Sequence, residues 1–282
     1  MASLIDSPVF VSSDCALGSR RGDVDDGFAV AALLACVAPL TLASSHGNTS
    51  ELEARRNLSR LRDLAGRDDV AVLAGASAAA SSSASARWLA ARQEATSIVA
   101  LGPLTDLAAA LDLDPSCARR WCQVILVGGN RCSLGRWPPL WPHEFNLTKD
   151  RAATAVALRE IQSLIVVPLD RARRLRAERA ELERLAGSAL GDDLQAGSSR
   201  WVRRNRWLKG RSGFPVWDLV AVATLCWPHL VRLEAGPLSS GLPLAAYGLA
   251  EREALWVADF DAAAIFDALV GGLSGLSGPA GR

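Results

Sequence analysis

Residues 8–37 read PVFVSSDCALGSRRGDVDDGFAVAALLACV and join an apolar run, an acidic loop and a second apolar run. Pro8–Ser13 is short and β-branched, which predicts a buried strand. Gly27–Val37 is a longer apolar stretch, which predicts a buried helix. The loop between them carries four carboxylates, those of Asp14, Asp23, Asp25 and Asp26.

The strand–helix unit recurs along the chain. Further strands are predicted at Leu40–Ser45, Val70–Ala74, Ser97–Leu101, Gln123–Val127 and Ser163–Val167. Helices are predicted around Glu51–Leu64, Leu104–Leu111 and Arg151–Leu158. This alternation predicts an α/β fold with an open, mainly parallel sheet that is covered by helices on both faces. Because no repeat or linker divides residues 1–282, we expect a single domain, with ligands bound beyond the carboxyl ends of the strands.

Three segments depart from this alternation. Ala74–Ala86 (AGASAAASSSASA) has low complexity and is predicted to be a flexible loop. Arg171–Ala186 is predicted to be a charged amphipathic helix with a solvated face, since Glu and Arg recur at i,i+4 spacing. Arg200–Arg211 contains six basic residues and no acid, which fits either a solvated helix face or recognition of a phosphate-bearing substrate.

Composition limits the classes of function. Half of the 282 residues are hydrophobic and 22% are charged, as in a globular protein, and a formal net charge of +1 gives no basic field for nucleic acid. No apolar run reaches the roughly 18–20 residues that span a bilayer, and the N-terminus has no basic residue before its apolar stretch. We therefore expect a cytoplasmic location without membrane or nucleic-acid partners. The six cysteines form no CxxC pair and are expected to be reduced thiols.

The acidic loop at the start of the predicted helix has two explanations. Acidic residues in a first helical turn cap the helix and complement its dipole. Several carboxylates on one loop also suit a hard cation such as Ca²⁺, and Asp14 lies outside the helical turn. Both explanations remain open on this cluster alone. A phosphatase motif of the Asp-x-Asp type, at Asp23 and Asp25, fits less well, because Arg20-Arg21-Gly22 rather than an apolar strand precedes it.

Six segments occur in the order found in nucleoside hydrolases, and the chain resembles that family from about Val9 to Ala223. The resemblance lies in Val9–Ser13 with Asp14, Gly22, Asp25 and Asp26; His46-Gly47-Asn48; Ile98–Leu111 (IVALGPLTDLAAAL); Val127-Gly128-Gly129; Glu144-Phe145-Asn146 with Asp150; and Trp217-Asp218-Leu219. Two differences stand at the first motif, which has an insertion between Asp14 and Gly22 and carries Ser12 in place of the family's first Asp.

The resemblance implies hydrolysis of the N-glycosidic bond of a ribonucleoside or a close analogue. It implies a Ca²⁺ held by Asp14, Asp26, Asp218 and the backbone carbonyl of Val127. It also implies that Asp14 is the general base toward a metal-bound water, and that the ribose hydroxyls are held by Asp25, Asn48, Glu144 and Asn146. The partner is then a small nucleoside, and the family is usually a dimer or tetramer. The alternative is a catalytically silent ribose- or nucleoside-binding protein of the same fold.

Trp217 departs from the family, in which many members have a histidine near the leaving base. An indole can stack on the base but cannot donate a proton as an acid at neutral pH. His143 is the nearest candidate acid in the sequence, although a solvated loop histidine is an equal interpretation. Further tryptophans are expected to border the pocket, namely Trp137, Trp141, Trp201 and Trp207.

Overall fold

A computed structural model of the chain describes residues 7–19, 22–78, 83–131, 145–209 and 213–276, with the backbone alone in 204–209. The strands are β1 Val9–Ser13, β2 Leu40–Ser44, β3 Ala71–Leu73, β4 Thr96–Ala100, β5 Trp121–Val127, β6 Leu164–Val167, β7 Arg176–Ala177, β8 Phe214–Pro215, β9 Val231–Pro237 and β10 Glu253–Phe260. The α-helices are α1 Asp25–Cys36, α2 Glu51–Leu64, α3 Ala84–Ala91, α4 Thr105–Leu113, α5 Phe145–Lys149, α6 Arg151–Glu160, α7 Leu169–Ala172, α8 Arg179–Glu183, α9 Ala189–Lys209, α10 Trp217–Cys226 and α11 Ala262–Ser274.

Eight strands form one sheet in the order β3-β2-β1-β4-β5-β6-β10-β9. The neighbouring strands are parallel except for β9, which runs antiparallel to β10 at one edge. The chain builds outward from β1 through β2 and β3, and then crosses to the other side of β1 with β4. At such a switch point the loops that follow neighbouring strands diverge and leave a crevice at the carboxyl ends. The predicted open, mainly parallel sheet is confirmed.

Helices cover both faces of the sheet. In β5, Ile125 and Val127 point to a core that also contains α1, α10 and α11, while Val124 and Leu126 point to a second core with α3, α4 and α6. Strands buried on both faces explain why the sequence shows continuous apolar runs rather than polar–apolar alternation. No helix in the described ranges is both long enough and apolar enough to span a membrane.

Helix α1 is enclosed on nearly all sides, since every residue except Ala35 is buried. It packs against the helices α10 and α11. Phe28 contacts aromatic rings of two other elements: its ring centroid is 5.8 Å from that of Phe214 in β8 and 6.4 Å from that of Phe266 in α11. This packing holds the start of α1, where Asp25 and Asp26 lie, against the carboxyl edge of the sheet.

The prediction of one amphipathic helix over Arg171–Ala186 is wrong. The segment divides into the end of α7, the short strand β7 and the helix α8. Arg176 and Ala177 pair with β8, so the backbone here is extended rather than helical. Leu175 and Ala177 are fully buried and do not belong to a solvated face. The i,i+4 pattern is confirmed only locally, where Arg179 Nε lies 2.7 Å from Glu183 Oε1 within α8.

The loop predicted over Ala74–Ala86 is confirmed for residues 74–78, which form neither helix nor strand, but the predicted flexibility is not borne out at Ala76, which is buried and donates its backbone N–H to Asp106 Oδ1. Ser83 caps α3 by accepting a hydrogen bond from the backbone N–H of Ala86, so the last three residues begin a helix. Residues 79–82 lie outside the described part of the chain. The sequence patterns do not predict β9, β10 or α11. Charged residues interrupt the apolar pattern of the two strands, and two glycines interrupt that of the helix.

Replacing Phe28 with Ala should lower the free energy of unfolding by about 3–5 kcal/mol, because the cavity opens between three packed elements. Leu113→Ala, at a side chain that is 50% exposed, should cost less than about 1 kcal/mol. Urea unfolding followed by circular dichroism measures both variants. Equal losses would show that α1 is not held by this contact. A single transition would support the one-domain prediction for residues 1–282.

Candidate active site

The candidate site lies where β1, β2, β4 and β5 end. Asp14 directly follows β1, and the Gly47-Asn48 turn follows β2. Leu101 and Gly102 follow β4, and Val127 is the last residue of β5. Parallel strands end at a common edge, so segments far apart in the sequence meet there.

Asp14 is fully buried in a cradle of backbone. Its Oδ2 accepts a hydrogen bond from the backbone N–H of Asn48 at 2.5 Å. A Cβ atom at position 47 would lie 1.8 Å from Asp14 Oδ2, and one at position 102 would lie 3.3 Å from Asp14 Oδ1. The turn after β2 must therefore carry a glycine, because any side chain would occupy the position of the carboxylate.

Three further carboxylates meet beside Asp14. Asp25, Asp26 and Asp218 are buried, and each places an oxygen within 4.8 Å of the oxygens of the other two. Asp25 and Asp26 open α1, whereas Asp218 lies in the first turn of α10. The acidic loop and a distant helix start thus combine in one cluster. Asp14 lies outside this set of three oxygens.

Burial and mutual repulsion make the charged form of the cluster costly. Burial raises the pKa of Asp25, Asp26 and Asp218 well above the ordinary value, and the charges of neighbouring aspartates raise it further. Burial also raises the pKa of Asp14 to about 7, although the backbone hydrogen bond from Asn48 opposes this shift. A nearby positive charge would lower the pKa of all four carboxyl groups and stabilise their charged forms.

The cluster fits a hard cation. Its donors are all oxygens, the ligand type that Ca²⁺ and Mg²⁺ prefer. Asp26 Oδ1 accepts a hydrogen bond from Ser13 Oγ at 2.6 Å, but Asp26 Oδ2 and Asp14 Oδ1 are buried without a hydrogen-bond partner among the described residues. Buried carboxylate oxygens usually have a partner, so these two atoms fit the role of cation ligands. Helix capping alone does not account for them.

A cavity of about 630 Å³ opens above the cluster, within the range of sites for small molecules. Among the described residues it is lined by Asp23, Asp25, Asn48, Leu101, Val127, Asn130, Phe145, Asn146, Leu169, Asp170, Arg173, Arg176, Pro215, Trp217 and Asp218. Among these residues Asp25 and Asp218 are buried, whereas Phe145 and Arg173 are exposed.

The sequence model of the inosine-uridine preferring nucleoside hydrolase family matches residues 13–240, which include the last residue of β1, the acidic loop and Asp218. The chain belongs to this family. Its membership of a family of nucleoside hydrolases supports an enzymatic function. The pyrimidine-specific ribonucleoside hydrolase RihA of Citrobacter koseri is 26% identical, with 74% of this chain and 79% of that protein covered.

Solved nucleoside hydrolases share the fold. A plant nucleoside hydrolase superposes with a TM-score of 0.77 at 20% identity, covering 95% of this chain and 99% of that one. A purine-preferring ribonucleoside hydrolase from Gardnerella vaginalis gives 0.76 at 17% identity, covering 96% and 99%. At these identities the likeness concerns the fold alone.

Most of the predicted site residues of this nucleoside hydrolase line the cavity. Asn48, Asn146 and Val127 are at its wall, and the Asn146 side-chain amide donates to the Leu101 carbonyl at 2.8 Å. Trp217 begins α10 next to Asp218 and also lines the cavity. Glu144 and the candidate acid His143 lie outside the described residues.

Two residues of the family motifs have structural partners instead. Asp106 Oδ1 accepts hydrogen bonds from the hydroxyls of Ser83 and Ser85 and from the Ala76 backbone, and so fixes the loop before α3. Asp150 caps α6 and accepts a hydrogen bond from Thr105 Oγ1 at 2.8 Å. Asp150 thereby holds α4 against the segment that carries the cavity residues Phe145 and Asn146.

The prediction that Trp201 borders the pocket is not borne out. Its indole packs on Phe214 with ring centroids 5.1 Å apart and contributes to the core beside α1. Trp137 and Trp141 lie outside the described residues, as does the side chain of Trp207. Among the described tryptophans, Trp217 lines the cavity.

Sequence reasoning missed four polar residues of the cavity wall: Asn130, Asp170, Arg173 and Arg176. Asn130 and Asp170 follow β5 and β6 within three residues, so the rule that ligands bind after strand ends could have found them. The two arginines were assigned to a solvated helix face. They could be placed only once that helix was known to be broken.

In buffer with a chelator, stability should fall as pH rises from about 4, the unfolded value for Asp, through neutral pH. The folded state has raised carboxyl pKa values, so it keeps protons that the unfolded state releases. Asp26→Asn removes one charge and should flatten this decline, leaving the variant more stable than the native protein at neutral pH. Urea unfolding at about pH 5 and about pH 8 measures it. Exposed Asp68→Asn is the control, and an equally steep decline in Asp26→Asn would contradict the repulsion.

Proposed function

We propose that the protein hydrolyses the N-glycosidic bond of a ribonucleoside or a close analogue, giving free base and ribose. The observation that carries the proposal is the buried group of carboxylates beneath a cavity in a chain of the nucleoside hydrolase family. Cleavage of this bond passes through an oxocarbenium-like sugar, so positive charge develops at the ribose. A floor of fixed carboxylates stabilises that charge more than the neutral ground state.

The ribose end of the substrate belongs at the acidic end of the cavity. Asp25, Asn48 and Asn146 supply carboxylate and amide groups that can bond the ribose hydroxyls. The Asn146 amide is held by its hydrogen bond to the Leu101 carbonyl, so its free oxygen has a fixed direction. Glu144 is assigned to the same hydroxyls on the sequence motif.

Asp14 is proposed as the general base. One of its oxygens is held by the backbone of Asn48, and the other has no partner among the described residues, so it can accept the proton of an attacking water. The burial that raises its pKa toward neutrality also makes it a stronger proton acceptor than an exposed carboxylate. Its place in the glycine cradle keeps the carboxylate from rotating away.

We assign Ca²⁺ to Asp14, Asp26, Asp218 and the backbone carbonyl of Val127. Asp26 and Asp218 belong to the set of close oxygens, Val127 lines the same cavity, and Asp14 adds a buried oxygen that needs a partner. When bound, the cation supplies positive charge that acidifies water and orients hydroxyl groups. Asp25 lies close enough to share in this binding as well as in holding the ribose.

At the other end of the sugar, Trp217 can stack on the leaving base but cannot protonate it. The proposed substrates are therefore ribosides whose leaving group departs with little help from an acid. Trp217 also supports the second candidate, a catalytically silent binding protein of the same fold. A dimer or tetramer and a cytoplasmic location stay predictions.

Calcium should raise the thermal midpoint of the native protein by several degrees. A ligand at one hundred times its Kd stabilises the folded state by about 2.7 kcal/mol, and each kcal/mol moves the midpoint by about 2–4 °C at this chain length. Asp218→Asn should lose this shift because it removes one ligand charge. Asp112→Asn, an exposed carboxylate on α4, should keep it. A full calcium shift in Asp218→Asn would exclude the assigned site.

Asp14→Asn should lower the rate of p-nitrophenyl riboside hydrolysis by about 100- to 10,000-fold, because a neutral amide cannot accept the proton of water. The measurement is the absorbance of released p-nitrophenol, with Asp112→Asn as the control and calcium binding measured for each variant. A native rate in Asp14→Asn would exclude Asp14 as the base. If the native protein binds calcium and ribose but cleaves no activated riboside, the silent binding protein is correct.

A further inference from the structure

Two arginines, Arg173 and Arg176, line the same cavity as the carboxylate cluster. The carboxylates lie at the buried end, where Asp25 and Asp218 are each 5% exposed. Arg173 is exposed and Arg176 is half-buried, so the positive charges lie toward the mouth. A substrate that fills this cavity therefore meets buried carboxylates as well as more exposed guanidinium groups.

Arg176 lies on the side of the cavity that carries Trp217. It pairs with Pro215 across the small β7–β8 sheet, and the backbone N–H of Val216 donates to the Leu175 carbonyl at 2.9 Å. These contacts hold Arg176 beside the two residues that precede Trp217. The indole and the guanidinium therefore border the same part of the cavity, where the proposed function places the leaving base.

The acidic residues near Arg173 and Arg176 do not hold the two guanidinium groups in strong ion pairs, so both groups are available to a ligand. Asp170, the nearest acid in α7, already accepts a hydrogen bond from the Arg131 backbone at 2.9 Å and lies 3.7 Å from Arg171. Among the described residues, the Arg173 guanidinium has no hydrogen-bond or ion-pair partner. Arg176 Nε lies 3.3 Å from Glu178 Oε1, with the two side chains 36% and 50% exposed. Such an exposed pair contributes little free energy and can exchange for a ligand carboxylate.

We propose, on the basis of the proposed hydrolase function, that Arg173 and Arg176 form a subsite for a carboxylate carried by the leaving base. The preferred substrate class is then a riboside of a nitrogen heteroaromatic ring that bears a carboxylate. Guanidinium groups suit this role because they bind carboxylates through paired N–H donors. The compared hydrolases are described as pyrimidine-specific and purine-preferring, so family membership leaves the base of this chain undecided.

A ring that is linked as a pyridinium matches both features of this end of the cavity. The water oxygen forms a bond to C1′ while the C1′–N bond breaks and its electron pair goes to the ring nitrogen. The ring changes from positive to neutral and needs no proton, and the proton of the water goes to the Asp14 carboxylate. The lack of an acid at Trp217 then does not slow the departure of the ring. The carboxylate on the ring keeps its contact with the arginines throughout.

The test compares two ribosides that differ in one group, N-ribosylpyridinium-3-carboxylate and N-ribosylpyridinium-3-carboxamide. The measured quantity is the ratio of kcat/KM for the carboxylate to that for the carboxamide in the calcium-loaded protein. Arg173→Gln and Arg176→Gln should each lower this ratio by about 10- to 100-fold, as expected for loss of a charge-assisted hydrogen bond. Arg173→Lys and Arg176→Lys, which keep the charge, should lower it less.

Arg179→Gln is the matched control, because Arg179 is an exposed arginine on α8 that does not line the cavity. It should leave the ratio at the native value. An unchanged ratio in both cavity variants would overturn the carboxylate subsite, as would an equal fall for the two substrates. A change in Arg179→Gln of the same size would show a long-range charge effect and would overturn it too.

A 5′-phosphate is the other source of negative charge that two arginines could bind. The 5′-phosphate of the carboxamide riboside tests this source. The assignment to the base is wrong if this phosphate has a higher kcat/KM than the unphosphorylated carboxamide riboside and Arg173→Gln and Arg176→Gln abolish the difference, while both variants keep the native ratio of carboxylate to carboxamide. If no riboside is cleaved, including p-nitrophenyl riboside, the proposed function fails separately. Calorimetric titration with pyridine-3-carboxylate in the presence of ribose then decides the subsite, which requires weaker binding in Arg173→Gln and Arg176→Gln.

Discussion

The buried carboxylates Asp25, Asp26 and Asp218 have oxygens within 4.8 Å of one another, and this proximity is the constraint on which the rest of the structure depends. Like charges at such distances repel strongly in a medium of low polarity, and burial removes the water that would screen them. The folded state can hold the charged cluster only if its supporting elements are rigid and positive charge is supplied nearby. The packing of α1 and α10 provides the rigidity, and the oxygen-only cluster provides a place for a cation.

The supporting elements are apolar to an unusual degree. Helix α1 is buried on nearly all sides, and Asp218 opens α10, which packs directly against α1. The apolar surface that α1 and α10 bury offsets the free-energy cost of placing carboxylates at their first turns. The helix dipoles also favour negative charge there. The cradle around Asp14 works by shape instead, because Gly47 lets the backbone approach the carboxylate closely enough for a hydrogen bond.

The cavity above the cluster is lined by buried carboxylates and by two arginines that are more exposed. Carboxylates at the floor favour the positive sugar that develops as the glycosidic bond breaks, while Arg173 and Arg176 at the mouth favour negative charge on the opposite end of the substrate. Trp217 lines the same cavity and offers a flat apolar surface without an acidic group. In the proposed reaction this wall favours a leaving group that departs unprotonated, through Arg173 directly after α7, Arg176 in β7 and Trp217 in α10.

Local patterns in the sequence determined the strands that end in the site, the helix α1 and the acidic residues at its start, because apolar periodicity and helix-start chemistry depend on neighbours a few residues apart. The order of the motifs also identified the family that the sequence model later matched. The approach of Asp218 to Asp25 and Asp26 was not visible in the sequence itself and came only through the resemblance. The broken segment at Arg171–Ala186, the strand β10 and the edge strand β9 were decided by tertiary structure. Leu175 and Ala177 are buried only because β7 meets β8, and that pairing brings Arg176 to the cavity. Such placement depends on contacts between residues far apart in the chain, which a local pattern does not encode.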